Sequence, residues 1–320
     1  VPEGLLPTVT LSLALATQRM ARRNALVRRL SSVETLGETT VICTDKTGTL
    51  TENEMTVERV WTPDRGWFDI EGAGYEPFGR FRQNGHVADP RALGELLRCA
   101  LLCNDARLAP GPNGFEAVGD PTEAALVVLA EKGGLRHEHE AALRPRLTEI
   151  PFDSDRKRMT TVHLVDGGRI AYTKGAPELV IRRTTLGAEE QETALAAAEE
   201  MERAALRVLA FACRIVSDDD ADDEDSEREL ELLGLVGMLD PPRPEVAEAI
   251  ARCRAAGVRV LMVTGDSGYT AEAVARRIGL VRDGVHVIGP DDLDSLDDDG
   301  LRGRLAERDV IFARISAGQK

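Results

Sequence analysis

The sequence predicts an α/β fold in which a doubly wound parallel sheet is interrupted by a large α+β insertion on an antiparallel sheet. Two apolar runs, at 40–42 and 258–263, each end in a polar turn that contains Gly and Asp, and a helical pattern at 270–278 follows the second. Such strand and helix alternation favours a parallel sheet. The stretch at 57–238 instead mixes short alternating runs with Gly and Pro turns, which is typical of antiparallel strands. The 320 residues have room for two such domains.

The chain is acidic, with a net charge of -15 and an isoelectric point near 4.9. A basic patch is the expected mark of nucleic-acid binding, so this balance argues against a nucleic-acid partner. Much of the negative charge lies at 217–227, a run that repels itself and is predicted to form a solvated loop, with cation binding as the alternative. The five cysteines are spread through the chain, which fits a reducing compartment better than a disulfide framework.

Residues 1–30 are predicted to be the end of a severed transmembrane helix and its cytoplasmic extension. The apolar run at 9–16 is shorter than the about 20 residues that cross a bilayer. Arginines follow it, as the positive-inside rule predicts for the cytoplasmic half of a membrane helix. Pro2 and Pro7 flank Glu3. Prolines at membrane depth free carbonyls beside that carboxylate, an arrangement that can coordinate a dehydrated cation.

The motif D-K-T-G-T-L-T begins at Asp45, just after the first apolar run. An exposed Asp has a pKa near about 3.9 and is ionised at neutral pH, so Asp45 can attack phosphorus without a general base. Lys46 and the hydroxyls of Thr47 and its neighbours supply positive charge and donors for a phosphoryl group, and Gly48 lets backbone amides approach it. Asp45 is therefore the candidate nucleophile.

At these residues the chain resembles the P-type ATPases, cation pumps of the haloacid-dehalogenase-like superfamily in which the Asp of D-K-T-G-T is phosphorylated. The resemblance implies an incomplete Rossmann-like phosphorylation domain with an inserted nucleotide-binding domain. Superfamily phosphatases usually carry a second Asp as acid or base two positions after the nucleophile, where this chain has Thr47. Without that group an aspartyl phosphate should form but persist, which suits a pump that changes conformation while phosphorylated.

A second polar turn, Thr264, Gly265 and Asp266, follows the second apolar run. The Thr264 hydroxyl and the Gly265 amide can bind phosphoryl oxygens, and Asp266 can order the cations or the Mg²⁺ water around the site. The resemblance implies that Lys320, after a third strand at 310–314, lies beside the aspartyl phosphate.

Two cation sites are implied by the same resemblance. One is a Mg²⁺ site at Asp45 and Thr47, completed by a further Asp that this chain does not contain. The other holds the transported cation: the segment P-E-G-L is similar to the broken fourth membrane helix of the family, so Glu3 is expected to ligate that ion.

A nucleotide site is predicted in the inserted domain. Stacking on adenine needs an exposed ring with cations nearby for the phosphates, and Phe152 with Lys157 and Lys174 can supply both. Their segments, F-D-S-D-R-K-R-M and K-G-A-P-E, occur in family order, and the resemblance implies Glu123 at the adenine edge and Arg207 at the phosphates. The residues expected to contact nucleotide are Glu123, Phe152, Lys157, Lys174, Gly175, Arg207, Asp240, Arg243 and Arg314. The sequence has no P-loop motif, so ATP is not expected to be held in the Walker manner.

The resemblance divides the chain into four segments. They are the severed membrane helix with its extension (1–30), the first part of the phosphorylation domain (31–56), the nucleotide-binding domain (57–238) and the second, incomplete part of the phosphorylation domain (239–320). The turn D-P-P-R marks the return to the phosphorylation domain, and the fixed φ of its prolines suits a hinge.

The predicted function is ATP-driven cation transport through an aspartyl phosphate on Asp45, with ATP and Mg²⁺ as cofactors. Calcium is the expected cation, and sodium, potassium or protons are alternatives. The parent protein is expected in a bacterial-type plasma membrane, with most of this chain on the cytoplasmic face. Because no T-G-D-G-x-N-D segment and no actuator T-G-E loop occur, we expect a fragment that binds nucleotide at most and does not turn over.

Two other interpretations stay open at this point. A soluble haloacid-dehalogenase-like phosphatase with a large cap domain would hydrolyse a generic phosphate ester, and Thr47 argues against it. A non-catalytic nucleotide-sensing module would bind ATP, and replacing Asp45 would then change nothing downstream.

Overall fold

The structure is a computed structural model that describes residues 4–111, 114–216, 224–282, 284–307, 309–316 and 318–320. It divides into two compact units. The parallel-sheet unit comprises Val1–Asp45, Pro244–Gly265 and Ala275–Lys320, and the antiparallel-sheet unit comprises Lys46–Arg243 and Asp266–Val274. The inserted domain predicted at 57–238 lies within the second unit.

The strands in the described part of the chain are, in order, β1 (Val41–Thr44), β2 (Thr56–Thr62), β3 (Gly66–Ile70), β4 (Phe81–Gln83), β5 (His86–Ala88), β6 (Arg107–Gly111), β7 (Gly114–Val118), β8 (Arg146–Asp153), β9 (Arg158–Val165), β10 (Gly168–Gly175), β11 (Arg207–Val216), β12 (Glu231–Leu239), β13 (Arg259–Val263), β14 (His286–Ile288) and β15 (Val310–Phe312).

The α-helices in the same ranges are α1 (Leu5–Ala21), α2 (Ser31–Gly37), α3 (Gly94–Leu102), α4 (Pro121–Lys132), α5 (His137–Leu143), α6 (Pro177–Val180), α7 (Ala188–Arg203), α8 (Val246–Ala255), α9 (Gly268–Arg277), α10 (Pro290–Ser295) and α11 (Asp298–Ala306). Short 3₁₀ turns occupy Pro90–Leu93, Ile181–Arg183 and Glu224–Glu227.

The parallel-sheet unit is built on four strands, among the residues described, in the order β1-β13-β15-β14. Every pair is parallel, and the register of the first pair places Thr44 opposite Met262. Ile288, Val310 and Phe312 form a buried cluster in this unit. Because parallel strands end at the same sheet edge, the residues that follow β1 and β13 share that edge. The predicted parallel sheet is confirmed.

The antiparallel-sheet unit contains, within the described ranges, the sheet β5-β4-β3-β2-β12-β11-β10-β9-β8 and a separate β6-β7 hairpin. Helices α3 and α4 pack together, and their apolar side chains share a core with the strands: Leu101 and Leu126 are buried with Tyr172 and Phe211. The larger antiparallel sheet confirms the predicted mixed α/β class. It also fixes the relative positions of β8, β9 and β10, which carry the predicted nucleotide motifs.

Helix α4 begins where its sequence predicts. The Asp120 side chain accepts hydrogen bonds from the backbone N–H groups of Thr122 at 2.8 Å and Glu123 at 3.2 Å, and Pro121 occupies the first helical position. An Asp at the N-cap satisfies donors that the first turn leaves unpaired, and Pro has no N–H to leave unpaired there. This cap places Glu123 in the first turn of the helix.

Some elements were not predicted from the sequence. β14 has three residues, too few to show a period, and the β6-β7 hairpin carries Pro and Gly, which obscure a strand pattern. Helix α11 is rich in Asp, Gly and Arg, and its start depends on a cap in which Asp297 accepts from the Gly300 N–H at 2.8 Å. These short elements have weak propensity and depend on caps and neighbouring strands.

Helix α1 exposes apolar side chains, with Leu5 52% and Leu11 62% exposed. Among the residues that the structure describes, no helix combines the length and apolar character needed to span a membrane.

His163 gives the antiparallel-sheet unit a predictable pH dependence. The ring is buried, with Nδ1 2.9 Å from the Arg144 carbonyl oxygen and Nε2 2.9 Å from the Thr161 hydroxyl. Burial lowers the pKa of His163 to about 4 from an ordinary value of 6.5. Between these values the unfolded chain binds the extra proton, so the free energy of unfolding falls as the pH drops from 6.5 towards 4, by about 3 kcal/mol at most.

We expect urea unfolding at a series of pH values to show this loss in the wild-type chain. The His163→Gln variant should lose less stability over the same pH range, because it has no imidazole to protonate. An identical pH dependence in the two proteins would contradict the assignment.

Candidate functional site

Asp45 lies at the carboxyl end of β1, where the sequence predicts the acceptor carboxylate. Its side chain is 41% exposed and forms an ion pair with the Lys320 ammonium group. Asp45 therefore does not point into an apolar interior. A carboxylate that is partly exposed and paired with a cation is accessible to a phosphoryl group.

Thr264 and Gly265 follow β13, the strand beside β1 in the same unit. Thr264 is buried; its N–H donates to the Phe312 carbonyl at 2.8 Å, and its carbonyl accepts from the Ile315 N–H at 2.9 Å. These two bonds tie the end of β13 to the segment around the end of β15. The structure thus brings Asp45, Thr264 and Gly265 to one edge of the parallel sheet.

The turn that follows Asp45 in the chain belongs to the antiparallel-sheet unit. Gly48 has φ +71°, a left-handed conformation that Gly adopts without the steric cost of a side chain. The D-P-P-R segment holds this turn: the Arg243 N–H donates to the Leu50 carbonyl at 2.9 Å, and the Glu52 N–H donates to the Pro241 carbonyl at 3.0 Å. The two motifs, which lie almost 200 residues apart in sequence, are therefore joined by backbone bonds.

Lys46 is buried in a network of two carboxylates. Its ammonium group forms an ion pair with Asp266 and lies 3.9 Å from Asp240 Oδ2. The Thr51 hydroxyl donates to the same Asp240 oxygen at 2.6 Å. Asp240 is predicted above to contact nucleotide; in the structure its carboxylate contacts Lys46 and Thr51 and supplies part of the paired charge that a buried ammonium needs. Arg243 likewise contacts this turn, donating to the Gly48 carbonyl at 3.3 Å.

Glu123 and Lys174 form the centre of the predicted nucleotide site. Lys174 on β10 donates to Glu123 Oε1 at 2.5 Å, and both side chains are largely buried. The other oxygen, Oε2, accepts from the Asp105 N–H at 3.2 Å. The carboxylate is therefore fixed from two sides and neutralises the lysine. Asp105 was not predicted from the sequence, because it contributes its backbone N–H group and its side-chain type does not indicate that contact.

The two predicted nucleotide segments are joined at Lys157. The Ala176 N–H donates to the Lys157 carbonyl at 3.0 Å. A Cβ atom on Gly175 would lie 2.5 Å from that carbonyl oxygen, so the close approach requires Gly at this position. The structure thus places the K-G-A-P-E segment directly against the loop between β8 and β9.

Phe152 and Arg207 are near this group but differ in their contacts. The Phe152 ring is 64% exposed. The next residue, Asp153, lies opposite Arg158 in the antiparallel pairing of β8 with β9. Arg207 is exposed at the start of β11. Its guanidinium group donates to the Thr122 hydroxyl at 3.0 Å, and Thr122 directly precedes Glu123, the predicted adenine contact. Stacking on a phosphorylated base needs an exposed ring together with exposed cations, and Phe152, Lys157 and Arg207 are all exposed.

The acidic run is not wholly the solvated loop that its sequence predicts. Residues 217–223 lie outside the described residues, but Glu227, at the end of the run, is fully buried. It forms ion pairs with Arg156 and Arg158 and accepts from the Thr160 hydroxyl. The loop expectation is wrong at this residue, because two arginines and a hydroxyl replace water around the carboxylate. The only sequence signal is the concentration of cations in D-R-K-R.

The remaining predictions concern metals and the chain ends. Glu3, the predicted ligand of the transported cation, lies outside the described residues. Arg314 is exposed just after β15, with φ +57°. No three His, Cys, Asp or Glu side chains converge as metal ligands within the ranges that the structure describes.

The Lys46 network allows a stability prediction. Asp240→Ala leaves a buried ammonium with one partner fewer and removes the acceptor of Thr51, so we expect the free energy of unfolding to fall by about 2–4 kcal/mol in urea denaturation. The matched control is Asp64→Ala, whose side chain is 68% exposed; it should change stability by less than about 0.5 kcal/mol. Equal effects of the two substitutions would show that the network contributes nothing.

Comparison with known families gives a match in the larger unit. Residues 92–245 match the family model described as P-type ATPase, cytoplasmic domain N. This range contains all of the predicted nucleotide contacts except Arg314. It ends just after the D-P-P-R segment.

Curated relatives extend the match to the whole chain. The chain is 40% identical to the cation-transporting ATPase pma1 of Synechocystis and 38% identical to the calcium-transporting ATPase of Bacillus subtilis, each over 100% of this chain and 37% of the relative. It is 42% identical, over 88% of its length, to a probable cation-transporting ATPase F of Mycobacterium tuberculosis, of which 32% is covered. The chain thus spans about a third of the length of the relatives it matches. Together with the site geometry, these matches show that the chain belongs to the P-type cation-transporting ATPase family.

Proposed function

We propose that this chain forms the nucleotide-binding and phosphate-accepting part of a pump that uses ATP to move calcium across a membrane. The observation that carries the proposal is the Asp45 carboxylate, accessible at the end of β1 and paired with Lys320. The cation is proposed from the relatives, since the matching protein of Bacillus subtilis is a calcium-transporting ATPase. Glu3, outside the described residues, is the proposed ligand.

In this proposal the antiparallel-sheet unit binds ATP. The exposed Phe152 ring stacks on adenine, while Lys157 and Arg207, both exposed, contact the phosphates. Lys174 is held by Glu123 and lines the pocket. The support is that Glu123 and Lys174 are bonded to each other, and that the Ala176 N–H donates to the Lys157 carbonyl, which joins β10 to the loop between β8 and β9.

The chemical step is an in-line attack of one Asp45 oxygen on the γ-phosphorus of ATP. A new O–P bond forms, the bond to the bridging oxygen breaks, and ADP leaves with that electron pair. The Lys320 ammonium group can leave the carboxylate and form an ion pair with the phosphoryl oxygens. The Thr264 hydroxyl can donate a hydrogen bond to the same phosphoryl oxygens. No general base is needed, because a carboxylate nucleophile has no proton to lose as it attacks.

Magnesium fits the residues proposed for it. The Asp45 carboxylate is partly exposed and the Thr47 side chain is exposed, and carboxylate and neutral oxygen atoms are ligands that Mg²⁺ takes. When bound, the ion neutralises charge on the transferred phosphoryl group. Thr47 has no carboxylate to activate water, so the aspartyl phosphate on Asp45 is expected to be long-lived.

The nucleotide site is tested by ATP titration of the chain. Phe152→Ala should weaken ATP binding about tenfold, because stacking of a base on an aromatic ring contributes about 1–3 kcal/mol. The matched control is Phe78→Ala, since Phe78 is 72% exposed in the same unit and lies outside the proposed site. Calorimetry that finds equal affinities for both variants would count against the stacking role.

The transport role is tested in a chimaera in which this chain replaces the matching segment of the Bacillus subtilis relative. Membrane vesicles should take up calcium when ATP and Mg²⁺ are supplied, and Asp45→Asn should reduce uptake to background because an amide cannot accept the phosphoryl group. Asp64→Asn, at an exposed side chain, should leave uptake unchanged. Uptake by the Asp45→Asn chimaera would overturn the proposal.

A further inference from the structure

One buried carboxylate binds the two arginines that flank Lys157 at the end of the loop between β8 and β9. Glu227 is fully buried, and its two oxygens lie 3.1 Å and 3.0 Å from Arg156 Nη1. Arg158 approaches Oε2 at 2.6 Å, and the Thr160 hydroxyl donates to Oε1 at 2.8 Å. A carboxylate without access to water is therefore surrounded by four donor atoms, Arg156 Nη1, Arg158 Nε and Nη2 and the Thr160 hydroxyl, which compensate its charge.

The same contacts reach both ends of the F-D-S-D-R-K-R-M segment. Arg156 Nη2 donates to the Pro151 carbonyl at 2.9 Å, immediately before Phe152. Arg158, the other partner of Glu227, follows Lys157 directly. Glu227 thus holds the backbone on each side of the two groups that face the proposed nucleotide.

Lys157 needs such support. It has φ +48°, a left-handed conformation that is unfavourable for a residue with a side chain and persists only when its surroundings impose it. Its N–H donates to the Asp153 carbonyl at 2.6 Å and its carbonyl accepts from the Ala176 N–H. With both neighbouring arginines bound to Glu227, Lys157 is the exposed cation of the three.

We propose that Glu227 is a positioning residue for ATP: it fixes the loop so that Phe152 and Lys157 face the nucleotide, and it withdraws Arg156 and Arg158 from the phosphates. The inference rests on the proposed nucleotide site. Stability alone does not explain why a buried carboxylate occurs at this position, because apolar residues of similar volume often stabilise a protein no less than a buried ion pair does. Fixed geometry is the property that charge-assisted bonds from two arginines to one carboxylate add.

The test is the affinity of the chain for ATP, measured by calorimetry. Glu227→Gln should weaken binding at least tenfold, and Glu227→Asp, which keeps the charge on a shorter side chain, should restore part of the loss. The control is Glu231→Gln, at an exposed residue four positions on, which should bind like wild type. Circular dichroism and thermal unfolding establish that each variant is folded.

A double-mutant cycle separates positioning from a general loss of structure. In a Lys157→Ala background, Glu227→Gln should cost clearly less affinity than in wild type, because part of its effect acts through Lys157. If Glu227→Gln does not fold, Arg156→Lys serves instead: it keeps the charge but cannot bridge Glu227 and Pro151, and it should also weaken binding.

Each result of these binding measurements either supports or overturns the positioning role of Glu227. Wild-type affinity in a folded Glu227→Gln variant, or in Arg156→Lys, would overturn the inference while leaving the proposed function intact. An unchanged cost of Glu227→Gln in the Lys157→Ala background would show a structural role only and would also overturn it. Absence of ATP binding by the wild-type chain would refute the proposed nucleotide site and this inference with it.

Discussion

The parallel pairing of β1 with β13 is the constraint on which the proposed chemistry depends. It fixes Thr44 opposite Met262, so the residues that follow the two strands, Asp45 and Thr264, lie at one edge of the sheet. At that edge Asp45 remains partly exposed and pairs with Lys320, while Thr264 is held by backbone bonds to the segment around β15. A one-residue change in this register would turn the acceptor carboxylate towards the other face.

Buried charge pairs position the loops that carry the other functional groups. Lys46 is held by Asp266 and Asp240, and the D-P-P-R segment is bonded to the turn after Asp45. In the predicted nucleotide site, Glu123 forms the ion pair that holds Lys174. In each case a carboxylate neutralises a buried lysine and fixes its direction, so removing a carboxylate would leave the buried ammonium group with fewer partners.

The sequence predicted the fold class and the main motifs, because strong periodicity and motif spacing are local signals. The strand before Asp45 and helix α8 occur where the pattern places them. The pairings of Asp240 and Glu227 were not predictable, since they depend on contacts between segments about 70 to 190 residues apart. Glu227 illustrates the limit: its neighbours in sequence are acidic and suggest a solvated loop, while its neighbours in space are arginines.

The central claim, that Asp45 accepts the phosphoryl group of ATP, is tested most directly by locating the phosphate. The chimaera with the Bacillus subtilis relative is incubated with radiolabelled ATP and Mg²⁺ and quenched in acid. Borohydride then reduces an acyl phosphate to the corresponding alcohol, so mass spectrometry should find homoserine at position 45. Label on any other residue, or an unmodified Asp45 in labelled protein, would contradict the account.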